Sequence, residues 1–133
     1  VLAKVDSFKG NNADRLRQLL LFAFEKISNN KKIQQMLRLS LTEGTRLPEI
    51  VDRHYEEFVA PLAETIGKIL AAGVAAGEFR QSYATTMPEV IMSSIMHMMI
   101  LNITAMGRRN LDKQALIDAH LDLTLHGLLV KKN

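Results

Sequence analysis

Apolar side chains recur along this chain at spacings of three and four, in five stretches separated by glycine, proline or asparagine. The longest stretch, LPEIVDRHYEEFVAPLAETIGKILAAGVAAGEFR from Leu47 to Arg80, predicts one helix that starts at Pro48 and stops at Gly77. A proline suits the first helical position, where the missing N–H has no helical partner to lose. A glycine suits the residue just past the end, where a left-handed backbone carries no Cβ penalty. Val51, Tyr55, Phe58, Leu62, Ile66, Ile69 and Gly73 share one face of this rod. Pro61 lies inside the pattern, so a hydrogen bond is lost there, and a kink is expected to open room beside Phe58 and Leu62.

The other four helices follow the same punctuation. Gly10-Asn11-Asn12 is a break, with Asn12 as the expected N-cap of a helix from Ala13 to Ser28 that buries Leu16, Leu19, Leu20, Ala23 and Ile27. Asn29-Asn30 ends it. A shorter helix from Lys32 to Glu43 carries Ile33, Met36, Leu37, Leu39 and Ser40, and Gly44 is its expected stop. After a polar connection, Gln81 to Thr86, Pro88 opens a fourth helix that reaches about Met106. Gly107-Arg108-Arg109-Asn110 reads as a loop, and Asp112 caps a fifth helix ending near Val130. No period-two strand pattern is visible. The expectation is an all-α, five-helix bundle: one domain over residues 12–133, with residues 1–11 as the tail of an upstream helix or linker.

The fourth helix carries no charge between Val90 and Gly107. Its serines, His97, Asn102 and Thr104, with the short uncharged interval, argue against a membrane span. A helix this apolar around its circumference must be covered on more than one side. Met92, Met96, Met99, Ile103 and Met106 form one stripe; Ile91, Ile95, Met98, Asn102 and Ala105 form a second; Ser93, His97, Ile100 and Thr104 form a narrower, more polar third. The fifth helix is also two-sided, with Leu116, Ala119, Leu123 and Val130 opposite Ile117, Leu121, Leu125 and Leu128. Two consecutive two-sided helices predict a four-helix seam between two copies of the chain.

Composition narrows the chemistry. With no cysteine in 133 residues there are no disulfides, thiolate metal sites or thiol nucleophile, which fits a cytoplasmic protein. Seven methionines and no tryptophan predict an adaptable core. Residues 1–46 carry nine Lys and Arg against four acids, and residues 47–86 carry three against six. The basic third lacks interleaved aromatics, and Lys31-Lys32 is its only adjacent basic pair, so no nucleic-acid site is read there. There is no Glu-x-x-His pair for a di-iron bundle, and His120 and His126 are six apart, off one helix face. No enzyme, metal site or cofactor is expected.

One resemblance adds to this. The segment LAAGVAAGEFR, Leu70 to Arg80, preceded by HYEEFVAPL, resembles the ligand-binding domain of TetR-family transcriptional regulators. Locally, Gly77 reverses the chain, Phe79 folds back onto the apolar face and Arg80 satisfies freed carbonyls. The resemblance implies a homodimer, a small-molecule effector, and DNA binding through an N-terminal helix-turn-helix head. Nothing before Asn12 is long enough to form that head, so an effector domain separated from it is expected. The effector pocket would lie among the first four helices, with Met36, Leu39, Ser40, His54, Phe58, Leu62, Met92, Met96 and Met99 as candidate ligand contacts. That wall favours a hydrophobic or amphipathic molecule. Candidate dimer contacts are Ile91, Ile95, Met98, Asn102, Leu121, Leu125 and Leu128. The competing expectation is a helical dimerisation or adaptor module without a ligand.

Overall fold

The computed structural model describes residues 7–27, 29–104 and 112–131. Helix α1 (Asn12–Phe22) runs into a π turn at Ala23–Ile27, and α2 (Lys31–Glu43) follows. Next, α3 (Pro48–His54), a second π turn (Tyr55–Val59) and α4 (Ala60–Ala75) join into one rod. A single 3₁₀ turn at Ala84–Thr86 leads to α5 (Pro88–Thr104), and α6 (Lys113–Leu128) closes the bundle. The chain is therefore all-α with the five rods its periodicity predicts. Among the described residues no strand forms beyond an isolated bridge pairing Phe79 with Leu129. The expected ends at Ser28 and Met106 and the loop at Gly107–Asn110 lie outside the described residues.

The caps are local chemistry. Asn11, not Asn12, caps α1: its side chain accepts from the Asp14 N–H while the Asp14 carboxylate accepts from the Asn11 N–H. That reciprocal pair needs an acid three residues on, which Asn11 has and Asn12 lacks. Asn30 caps α2 and Asp112 caps α6, accepting from the N–H groups of Ile33 and Ala115. Helix α6 stops at Leu128 instead of Val130 because Leu129 leaves the helix to pair with Phe79.

In the core, α1 lies against α4 and α6, and α5 lies against α4, α6 and α2. Leu16, Leu19, Leu20, Ile66 and Leu70 have no exposed surface. The rod from Pro48 to Ala75 is long and apolar enough to cross a membrane by length and composition. Its inward face, however, is occupied within the fold: Leu62, Ala63, Ile66, Ile69, Leu70 and Gly73 are buried.

The segment Gly77 to Arg80 ties three helix ends together. Gly77 adopts φ 76°, its N–H donates to the Val74 carbonyl, and the Glu78 N–H donates to the Gly73 carbonyl. This is the Schellman arrangement, which needs a left-handed residue at that point. The Glu78 carboxylate then accepts from the N–H groups of Asn12 and Ala13 and from the Asn12 amide, at 3.0–3.2 Å, where α1 starts. Burial alone would raise this carboxyl's pKa; those donors outweigh it and hold the group below its ordinary range. Phe79 lies buried against Gly73, where any Cβ would overlap the ring. The Arg80 N–H donates to the Leu128 carbonyl and its Nε to the Gly127 carbonyl, closing the end of α6.

Pro61 acts one turn earlier than the expected kink. Having no N–H, it cannot bond the carbonyl of residue 57, and the turn before it widens: the Ala60 N–H donates to the Tyr55 carbonyl, five residues back. A π turn takes up more residues than an α turn, so every position before it is rotated relative to α4. Val51 and Tyr55, expected on the inward face, are 41% and 50% exposed, whereas His54 is only 6% exposed. The widened turn has rotated Tyr55 out and His54 in.

Candidate functional site

Both π turns border the same apolar enclosure. From α1's π turn comes Ile27, and from α2 comes Ile33. The long rod supplies His54, Phe58, Val59 and Leu62, and α5 supplies Met92, Ile95, Met96 and Met99. The space inside is about 20 Å³, room for one water molecule. Beside it runs an open groove of about 350 Å³ whose rim includes Asn30, Lys32, Glu57 and Pro61. Ile27, Ile33, Phe58 and Leu62 line both spaces, so these four side chains form the partition between them.

Among the described residues His54 is the one polar side chain lining the enclosure. Its ring packs against Phe58 at a centroid distance of 5.7 Å, and neither ring nitrogen has a hydrogen-bond partner. Burial pushes its pKa below the ordinary 6.5, so the ring is neutral at pH 7. His120, the other buried histidine, differs in its hydrogen bonding. Its Nε2 donates to the Ile91 carbonyl at 3.0 Å and its ring packs edge-on to Phe24. Burial lowers the His120 pKa as well, partly offset by that carbonyl. His120 is a satisfied core residue; His54 is an unsatisfied one.

Of the nine expected ligand contacts, the structure brings six together: His54, Phe58, Leu62, Met92, Met96 and Met99. Met36, Leu39 and Ser40 are not among the lining residues. Helix α2 turns Ile33 and Leu37 inward, leaving Leu39 37% exposed on the flank, while the Ser40 hydroxyl donates to the Met36 carbonyl. Ile27, Ile33, Val59 and Ile95 complete the wall without having been expected as ligand contacts, and Ile95 was expected at the dimer seam. As ordinary inward-facing aliphatics they carry no signal separating a wall from a core.

The expected dimer contacts need correction. Ile91, Ile95, Met98, Leu121, Leu125 and Leu128 are 2–5% exposed inside this chain alone, and Asn102 is half-buried. Within the chain the α5 residues are covered by α4, α2 and α6 and the α6 residues by α1 and α5, which leaves them little surface to offer a second copy. The outward strip of α5 and α6 forms a groove of about 240 Å³ lined by Val90, Ser93, Ser94, Leu123 and Thr124 together with Ile91 and Leu128 of the expected set. Leu123 is 76% exposed there.

The largest concavity, about 530 Å³, lies between α1 and α6 and is lined by Asp14, Arg17, Asp118, Asp122 and His126 as well as apolar groups. Its open, charged rim is solvated, unlike the enclosure at His54. Among the described residues no three histidine or acidic side chains gather as a metal site would need.

Residues 14–122 match the family model for the C-terminal domain of AefR-like transcriptional repressors, a TetR-type domain. No individual curated protein and no solved structure matches the chain. The match spans most of the 133 residues, from inside α1 to Asp122 within α6, and includes every residue of the His54 enclosure. The chain thus belongs to the family of C-terminal regulatory domains of AefR-like, TetR-type transcriptional repressors.

Proposed function

We propose that this domain senses a small hydrophobic or amphipathic effector and pairs with a second copy of itself in a cytoplasmic transcriptional regulator. The observation that carries the sensing role is the apolar pocket at His54, which adjoins a wider groove across Ile27, Ile33, Phe58 and Leu62. A ligand moving from groove to enclosure displaces that partition. Ile27 ends the π turn that continues α1, and the chain before α1 is where the family's DNA-reading head attaches, so moving the partition biases the placement of the head. The effector must prefer the open arrangement by a few kcal/mol for the equilibrium to move. Residues around the two π turns are suited to this motion, since such turns hold fewer regular hydrogen bonds and recur at functional sites.

The homodimer is proposed on the outward strip of α5 and α6, centred on Val90 and Leu123. Its polar edge is the serine-histidine stripe of α5, and its apolar part is the α6 face bearing Leu116, Ala119 and Leu123. Light scattering after size exclusion tests this directly. A mass of twice 14.9 kDa that falls to one chain in Leu123→Glu supports the seam; a wild-type monomer at micromolar concentration removes it. Thermal shift against a panel of lipophilic compounds tests the sensing role. If no compound raises the melting temperature, the ligand-free dimerisation module is the better description.

A further inference from the structure

We infer that the effector is a neutral, largely apolar molecule carrying one hydroxyl or carbonyl group, and that His54 is the residue that selects for it. The inference rests on the effector-pocket reading above and adds the chemistry of the ligand to it. A buried imidazole normally finds partners for its nitrogens, because an unpaired buried polar group costs folding free energy. His120 in the same fold does so through the Ile91 carbonyl. His54 is as deeply buried, 6% against 7%, and both of its nitrogens lack a partner.

Sequence and backbone bring His54 to this position together. His54 stands one turn before Phe58 on the rod, and with the widened turn ahead of Pro61 it faces inward while Tyr55 faces out. The fold thus places an unpaired polar side chain in the apolar cavity that borders the groove.

A trapped water does not remove the deficit. The space admits about one water, but a stable buried water needs roughly two to four polar partners. Among the described residues His54 alone offers side-chain hydrogen bonds there, so such a water is weakly held and readily displaced. A ligand hydroxyl or carbonyl restores the bond while its apolar part replaces the partition. A hydroxyl can donate to the unprotonated ring nitrogen or accept from the protonated one; a carbonyl can only accept. An anionic group fits poorly, because no lysine or arginine lines the enclosure and its desolvation would go uncompensated.

Three compounds of similar size test this with the intact chain at about pH 7.5: 4-butylphenol, butylbenzene and 4-butylbenzoate, by titration calorimetry. The expected order is 4-butylphenol about tenfold tighter than butylbenzene, the worth of one buried hydrogen bond, with 4-butylbenzoate weakest. In His54→Phe the phenol and the hydrocarbon should bind within about twofold of one another, while His54→Gln should keep part of the preference. Equal binding of phenol and hydrocarbon to the wild type, or a phenol preference that survives in His54→Phe, would overturn the role of His54 and leave the pocket standing. Tightest binding of the benzoate would overturn the neutral class. Failure of all three to bind up to their solubility would overturn the pocket itself, and the inference with it.

Discussion

The two ends of the long rod treat polar groups in opposite ways. At Gly77–Arg80 nearly every polar atom is used: the Glu78 carboxylate caps α1, Arg80 closes α6, and the backbone of Gly77 and Glu78 completes the Schellman turn. At His54 a side chain buried more deeply than either Glu78 or Arg80 has no partner at all. The first end holds the fold together by joining three helix termini. The second stores a local deficit that only something outside the chain can relieve. A saturated polar cluster points to stability, and an orphaned one inside an apolar cage points to binding.

The contrast can be broken most forcefully at the clasp. Gly73→Val places side-chain atoms inside the Phe79 ring, so unfolding by urea should show a loss of about 3 kcal/mol or more. A loss below about 1 kcal/mol would mean that Phe79 is not wedged as described. Glu78→Ala removes the acceptor for three donors at the start of α1 and should cost about 1–2 kcal/mol, while leaving 4-butylphenol affinity unchanged. If it weakened ligand binding as much as stability, the two ends would not be separable.

Acidification separates the regions by pH window. His54 and His120 have folded pKa values lowered from 6.5, so protons bind the unfolded chain more tightly. Stability is then complete above about pH 6.5 and declines as pH falls below it. Glu78 is lowered from 4.5; its contribution is complete above that value and is lost as pH falls through its folded pKa. Melting temperatures should therefore fall in two stages, His54→Phe flattening the upper stage and Glu78→Gln the lower. A His54→Phe protein with an unchanged upper stage would show that His54 is not held neutral by burial. The smallest effect belongs to His54→Phe at pH 7.5, where replacing an unpaired buried ring by an apolar one should change stability by less than about 1 kcal/mol, or raise it. A loss of more than about 2 kcal/mol would reveal a partner for His54.

Much of the fold was legible because its boundaries are written in residues with few conformational options. Pro48, Gly77, Pro88, Asn30 and Asp112 fall where helices begin or end. The GEFR segment was legible in part: the roles of Gly77 and Phe79 follow from local rules, whereas Glu78 bonds a helix 66 residues away. The site was half legible for two physical reasons. Placement at a constant 100° per residue fails at a π turn, so Val51 and Tyr55 were expected inside and are not. Periodicity also cannot orient a helix that is apolar all round. Ile91, Ile95 and Met98 were therefore assigned to a partner chain when they fill this chain's own core.

Nitrogen-resolved NMR of the histidine rings, recorded with and without 4-butylphenol at about pH 7.5, tests most directly whether His54 is held open for a ligand. A neutral His54 ring with no strong hydrogen bond in the free protein, one of whose nitrogens shifts as the phenol binds while His120 keeps its bond to the Ile91 carbonyl, is the predicted result. A His54 ring already hydrogen-bonded in the free protein, or unmoved while the phenol binds, would contradict it.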